Sequence, residues 1–354
     1  MKKCISTVAC FFVFTFLAPL KGQTCTTFCL DHGDRPVFGR NYDYMVEDGL
    51  VIINKRGVTK ASTLGRLAWT SKYGSATFNQ YGREFPIGGM NEAGLVVEPM
   101  VLLETQYPLP DTRPGIHPLQ WIQYQLDMFS TVEEVIASDR QMRISGSGKY
   151  SGIHFLVCDT TGNCATIEFI GNKLVYHTKE RMPVKTLTNS IYAESVSFWE
   201  KNEIPQPDKF RSIERFIHVA NVVENYDAKK TKSPIDFAFT ILKSVEHPSK
   251  TQWSIVYDLK NLSIYFRTLG NQSIRHFDLK SFDLSCATPV RVLDVQAEVS
   301  GDISDEFIDY TYQINRNLIG EAFRKTPFLR HLPNGNLDIR ASYPDDMTSC
   351  IDEK

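Results

Sequence analysis

A cysteine placed directly behind a secretory leader constrains this chain more than any other feature. Met1-Lys2-Lys3 is a short positive segment, Ile5 to Pro19 is an apolar run, and Lys21-Gly22-Gln23-Thr24 closes it with small and polar residues. The run falls short of the ~20 apolar residues that a spanning helix needs, and no second candidate follows. Residues 1–24 therefore read as a signal peptide, with an uncleaved anchor as the competing reading. Thr24 is a poor residue at the cut, so an earlier cut followed by trimming to Cys25 is a second route. Gly22-Gln23-Thr24 lacks the usual small residue ahead of a lipidated cysteine. Once the leader is gone, Cys25 carries a thiol and a free α-amine together. An α-amine titrates near ~8 and a free thiol near ~8.5, so one residue can hold both nucleophile and base.

The remaining chain is large enough for one large or two medium domains, with 354 residues in all. A hydrophobic content of 42% and a charged content of 23% are those of an ordinary folded protein. The formal net charge is −2 and there is no basic run, which removes the electrostatic footprint of nucleic-acid binding. Cys4 and Cys10 leave with the leader; Cys25, Cys29, Cys158, Cys164, Cys286 and Cys350 stay. Cys158 and Cys164 flank Asp159-Thr160-Thr161-Gly162-Asn163 and can bridge a hairpin. Cys286 and Cys350 can tie down the C-terminal tail. A pairing of Cys25 with Cys29 competes, although the spacing allows it only with awkward strand geometry.

In chain order, Thr27–Leu30 and Val37–Asn41 read as strands around a turn at Asp31–Pro36, which brings Cys25, Arg40 and Asp43 to one end of a sheet. Further strands are expected at Leu50–Asn54, Leu67–Thr70 and Ser75–Phe78. Gly88 to Gly94 reads as a glycine-rich turn leading into Leu95–Met100. Leu119, Ile122, Leu126 and Phe129 recur at helical spacing after Pro118, and Ser130-Thr131-Val132-Glu133 resembles a capping box for a second short helix. A glycine- and serine-rich loop from Arg143 to Tyr150 precedes strands at Ile153–Cys158, Ala165–Phe169 and Lys173–His177, and Val184–Asn189 ends that run. Phe210, Ile213, Phe216, Ile217 and Ala220 share one helical face, and Ser233-Pro234 opens another helix. Strands return at Trp253–Tyr257, Ser263–Thr268 and Ile274–Leu279; the acidic segment beyond Ser281 resists assignment. Alternating strand and helix blocks, without a repeat or a linker, point to an α+β fold in one unit, residues 25–354.

Four motifs in order resemble the choloylglycine hydrolase family. They are Cys25-Thr26-Thr27, Gly39-Arg40-Asn41-Tyr42-Asp43, Gly89-Met90-Asn91-Glu92-Ala93-Gly94-Leu95 and Leu187-Thr188-Asn189-Ser190. Trp69-Thr70-Ser71-Lys72-Tyr73-Gly74 and Thr251-Gln252-Trp253-Ser254-Ile255-Val256-Tyr257 agree as well. The resemblance implies a four-layer αββα N-terminal-nucleophile hydrolase sandwich that cleaves linear amides without metal or organic cofactor. It implies Cys25 as nucleophile with its α-amine as base, Arg40 favouring the thiolate and Asp43 orienting the amine. It further implies Asn189 as oxyanion donor and Arg215 as a brace for the site. Its substrates would be conjugated bile salts, penicillin V or N-acyl amino compounds, and its assembly a homotetramer.

Each residue also has an ordinary reading. Arg40 can be a surface charge, Asp43 a turn residue, Asn189 a turn cap and Arg215 a salt-bridge partner. An acyltransferase and a catalytically silent binding protein on the same scaffold are the alternative functions. Some members carry a second asparagine after the Asn-Glu motif; Glu98-Pro99-Met100-Val101-Leu102-Leu103 has none. A backbone N–H of Asn91 or a neighbour would then supply the second oxyanion donor. Tyr44, Met45, Tyr81, Phe85, Met100 and Leu103 are candidates to line an apolar acyl pocket. The eight histidines show no metal-ligand spacing, and no nucleophile elbow or phosphate loop is present.

Overall fold

The structure, a computed structural model, describes residues 24–31, 35–146, 152–203, 210–327, 329–331 and 334–351. Residues 1–23 of the expected leader and parts of two expected loops, 32–34 and 147–151, lie outside them. The first strands are β1 (Thr26–Leu30), β2 (Val37–Asp43), β3 (Leu50–Asn54), β4 (Val58–Ala61), β5 (Ala68–Thr70), β6 (Ser75–Asn79), β7 (Pro86–Asn91) and β8 (Val96–Val101).

Two large sheets face each other. One has seven strands in the order Thr186–Leu187, β1, β2, Thr251–Asp258, Ser263–Thr268, Arg275–Asp278, Gly301–Asp302. The other has nine, in the order Lys173–Thr178, Cys164–Ile170, Ile153–Cys158, β8, β7, β6, β3, Arg291–Asp294, Ile308–Asp309. The core between them is apolar and aromatic. Phe78 of β6 meets Phe266 and Tyr257 of the opposite sheet edge-on, with ring centroids 5.5 and 6.5 Å apart. Such pairs add ~1 kcal/mol each beyond the area they bury.

Helices cover both outer faces. On the nine-stranded side, α1 (Pro118–Met128) packs on β7 and β8, with Trp121 against Phe155 at 4.4 Å, and is followed by α2 (Val132–Ala137). On the seven-stranded side lie α3 (Tyr192–Lys201), α4 (Phe210–Glu224) and α5 (Pro234–Ser244), the last two packed on β1 and β2. The chain is thus an α+β protein with the four layers αββα. Beyond them, α6 (Tyr312–Lys325) packs on α7 (Asn334–Met347), and Thr348–Cys350 adds a strand beside β4. No helix among the described residues is long and apolar enough to cross a membrane.

Three local readings need correction. Gly88, Gly89 and Met90 lie inside strand β7, and only the stretch after Asn91 turns. These glycines serve close approach: a Cβ on Gly88, whose φ is +133°, would come within 2.0 Å of the Glu98 carboxylate, and one on Gly89 within 2.4 Å of the Ala76 carbonyl. The capping box of α2 is Thr131 with Glu134, one residue later than Ser130 with Glu133, because Thr131 is the residue with extended backbone at the helix start. Helix α3 was not anticipated; Tyr192, Val196 and Trp199 turn one face to the core. The two expected disulfides, Cys158–Cys164 and Cys286–Cys350, are formed, and Cys25 and Cys29 are free thiols.

Candidate active site

The hairpin of β1 and β2 builds the site. Its register sets Thr26 opposite Asn41 and Thr27 opposite Arg40, so Cys25 arrives beside Asp43 at the end of the sheet. The register is tight because Gly39 leaves room for the Phe28 ring, which a Cβ there would meet at 2.4 Å. Strand Thr251–Asp258 flanks β2 on its other side, pairing Thr251 with Asp43 and Ile255 with Arg40.

Cys25 is 4% exposed, and its Sγ donates to the backbone carbonyl of Asp43 at 3.8 Å. Burial pushes its thiol above the usual range. The Arg40 guanidinium pulls it down, the Asp43 carboxylate pushes it up, and Arg215 lowers it again. The Asp43 carboxylate is itself raised by burial, against the hydroxyls of Thr24 and Thr251 and the charge of Arg215. Thr24 donates its hydroxyl to Asp43 Oδ2, and Oδ1 has no hydrogen-bond partner. Oδ2 thus sits beside the residue that precedes Cys25.

Arg40 is 1% exposed; its two terminal nitrogens bind fixed acceptors, while its buried Nε has no hydrogen-bond partner. Nη1 binds the Ile87 carbonyl and Glu98 Oε2, and Nη2 donates to the Pro99 carbonyl at 3.1 Å. Its guanidinium carbon lies 5.0 Å from the Tyr42 ring centre. Burial opposes its charge, but Glu98 and then the Cys25 sulfur more than restore it. Arg40 is therefore within electrostatic reach of the thiol while its direct bonds go to Glu98 and backbone. Tyr257 completes this group, donating its hydroxyl to Glu98 Oε1 at 2.5 Å.

Arg215 of α4 closes the opposite side. Its Nε donates to Thr26 Oγ1 at 3.2 Å, and its Nη2 donates to the Cys25 carbonyl at 3.3 Å and to Asn189 Oδ1 at 3.2 Å. Asn189 Nδ2 donates one proton to the Val101 carbonyl at 2.9 Å, which leaves its second proton for another acceptor. Hydrogen bonds thus join Cys25, Asp43, Asn189 and Arg215, and Arg40 adds to them through its charge on the Cys25 sulfur.

Other expectations fare differently. The Asn91 N–H is bonded to the Leu95 carbonyl at 3.0 Å and the Glu92 N–H to the Gly74 carbonyl at 2.9 Å. Neither can serve as a second oxyanion donor, because the first closes the β7–β8 turn and the second ties that turn to the residue ahead of β6. Of the pocket candidates, Tyr44 stacks on Tyr42 at 5.5 Å and accepts from the Tyr81 hydroxyl at 2.7 Å, and Met100 Sδ lies 3.5 Å from Thr27 Oγ1. Phe85 packs against His117 and Tyr343 instead, and Met45 and Leu103 are exposed.

Two residues of the cluster escaped the sequence reading, Glu98 and Tyr257. The signal for Glu98 was there: one carboxylate within Leu95-Val96-Val97-Glu98-Pro99-Met100 is a charge inside an apolar strand, and a buried charge demands a partner. The sulfurs of Cys29, Cys158 and Cys164 also lie within 4.8 Å of one another, but two of them are bonded together, and burial pushes the Cys29 thiol up to about 12.

Comparison with known proteins agrees with this geometry. Residues 25–203 match the family model described as linear amide C–N hydrolases, choloylglycine hydrolase family, and the match begins at Cys25. The chain is 26% identical over 310 residues to a penicillin V acylase of Pectobacterium atrosepticum, covering 74% of this chain and 82% of that protein. The structure of a penicillin V acylase from Agrobacterium tumefaciens superposes with a TM-score of 0.69 at 25% identity, over 81% of this chain and 98% of that one. A variant of conjugated bile acid hydrolase from Clostridium perfringens shares the fold, with a TM-score of 0.64 at 21% identity, over 76% and 96% of the two chains. The sandwich, the thiol at the head of its first strand and the matched model together make this chain a member of the choloylglycine hydrolase family of linear amide C–N hydrolases.

Proposed function

We propose that the mature chain begins at Cys25 and hydrolyses the amide between an apolar acyl group and a small amine. The observation that carries the reading is the meeting of Cys25, Arg40, Asp43, Asn189 and Arg215 at one end of the β1–β2 hairpin. The Cys25 α-amine takes the thiol proton, and the sulfur attacks the substrate carbonyl carbon. Asn189 Nδ2 donates its second proton to the oxygen that gains charge, and Arg40 and Arg215 favour the anionic sulfur. When the tetrahedral adduct collapses, the C–N bond breaks and the α-ammonium gives its proton to the departing amine. Water then attacks the thioester, with the same amine accepting its proton, and the acid and the thiol are released. Asp43 holds the amine in line through the carboxylate that faces Thr24 before maturation.

The relatives are named for penicillin V and conjugated bile acids, and both are amides of a bulky apolar acid. Tyr81, partly exposed and bonded to the buried Tyr44, offers an aromatic edge for such an acyl group. A leader at residues 1–24 directs the protein to the periplasm or the exterior, with residues 25–354 as one catalytic unit that assembles as a homotetramer.

The test is a substrate panel of penicillin V, glycocholate, taurocholate and a long-chain N-acyl homoserine lactone, read by release of the amine. Turnover of at least one is expected, together with a mature N-terminus at Cys25 by mass spectrometry. No turnover of any of them would overturn the substrate class. On the amide that is cleaved, Asn189→Ala is expected to lower kcat by ~10²–10³ with a smaller change in KM, as for other single oxyanion donors. A change confined to KM would instead place Asn189 in ground-state binding.

A further inference from the structure

Glu98 is a carboxylate with no exposed surface, and nothing in the proposed reaction uses it. The fold is nevertheless built around it. Its Oε2 pairs with Arg40 Nη1, and its Oε1 accepts the Tyr257 hydroxyl at 2.5 Å. Gly88 on the neighbouring strand holds a φ of +133° and gives up its side chain where a Cβ would come within 2.0 Å of that carboxylate. The Pro99 and Ile87 carbonyls close on the same guanidinium from the strands that carry Glu98 and Gly88. Burying an ion pair this deeply costs about as much as the attraction returns, so stability alone is a weak reason for it. Arg40 is the largest favourable influence on the Cys25 thiol, and Glu98 is the one carboxylate bonded to Arg40 among the described residues.

We propose that Glu98 is a positioning residue for the thiol chemistry: it clamps the Arg40 guanidinium beside Cys25 and cancels part of its charge, and so sets how readily the thiol ionises. The proposal rests on Cys25 being the nucleophile. It takes β8 to be a working part of the site, although no atom of Glu98 need touch substrate. Burial pushes the Glu98 carboxyl up to about 7, against Arg40 and Tyr257, so its charge is adjustable in the range where the enzyme would work. The other charged or titratable groups around the pair are Tyr42 over Arg40, and Tyr257 from the seven-stranded sheet. Asp43 and Arg215 act on the thiol, and the sulfur in turn raises the Tyr44 hydroxyl. His154, on the strand beside β8, is bonded to Glu168.

The experiment titrates the thiol directly. Mature protein is alkylated with iodoacetamide across pH, and tandem mass spectrometry assigns the label to Cys25. Glu98→Gln keeps an acceptor for Arg40 and removes only the charge, so the full field of Arg40 reaches the sulfur. The midpoint of labelling is expected to fall by about one unit, and the acid limb of kcat/KM with it. A midpoint that stays put while the melting temperature drops assigns Glu98 a structural role only, and a midpoint that rises reverses the sign; either overturns the proposal. If Glu98→Gln does not fold, Tyr257→Phe removes one donor to the carboxylate, which then keeps its proton to higher pH. The midpoint is expected to move the same way by less, and an unmoved midpoint there overturns the proposal too. Labelling needs no substrate, so a failed amide panel leaves this result standing.

Discussion

Cys25→Ala is expected to lower amide hydrolysis by ~10⁴-fold or more while the protein folds and melts almost as before. The size follows from removing the atom that forms the covalent adduct; the remaining groups can only bind and polarise the substrate. The small structural cost follows from the contacts. Cys25 Sγ has one weak bond, to the Asp43 carbonyl at 3.8 Å, and the hairpin register is carried by β1 and β2 backbone pairing that alanine leaves alone. A loss of ~1 kcal/mol in unfolding free energy is the scale for shortening one small buried side chain. Cys25→Ser makes the control, because it keeps the shape and the α-amine but offers an alcohol, which gives up its proton far less readily than a thiol. It is expected to fall well below the wild type. The measurement is kcat and KM on the best amide of the panel, alongside thermal unfolding. Activity of Cys25→Ala within ten-fold of wild type would remove the nucleophile from the mechanism.

What was legible in the sequence was local. The β1–turn–β2 hairpin announces itself by apolar residues on both sides of Asp31–Pro36, and its register carries Arg40 and Asp43 to Cys25 without knowledge of the rest of the chain. Cys158 and Cys164 flank a short turn, so their pairing could be read from spacing. Pro118 and Ser233-Pro234 mark helix starts by their own chemistry. The misreading of Gly88 and Gly89 as a turn has its cause in distance along the chain. Gly88 is glycine because of Glu98, and Glu98 is tolerable because of Arg40 and Tyr257, which lie 58 and 159 residues away. No window of sequence holds all four. The Asn91 N–H is expected as a donor because Glu98–Leu103 holds no second asparagine, whereas here that N–H folds back on Leu95. The segment after Ser281 contributes a strand beside β3, an edge strand outside that one, and two helices packed on each other, α6 and α7. The partners of these elements come from far earlier in the chain or from each other, so composition alone could not place them.

A chain that keeps Thr24 ahead of Cys25 is expected to be ~10²–10⁴-fold less active than one that begins at Cys25, the range that a positioned general base contributes. With Thr24 attached, the nitrogen of Cys25 is a peptide nitrogen whose lone pair is delocalised, and it cannot accept the thiol proton. Thr24 also donates its hydroxyl to Asp43 Oδ2, taking the acceptor that the free ammonium group would use. The same cut therefore creates the base and vacates its holder. Raised by its burial, the Cys25 thiol gives up its proton unaided less readily than an exposed one, so without the amine little of it would be anionic at neutral pH. The comparison uses two proteins released from a removable tag, one starting at Thr24 and one at Cys25, each verified by mass. Aminopeptidase treatment of the longer form, removing Thr24 alone, should restore activity as the mass falls by one threonine. Equal kcat in the two forms would show that another group takes the proton, and the amine would then have no part in the reaction. Asp43→Asn in the mature form extends the argument: it keeps the size of the side chain but removes the charge that orients the ammonium. Its pH profile should then lose the contribution of a held amine, although Cys25, Arg40 and Arg215 keep their contacts.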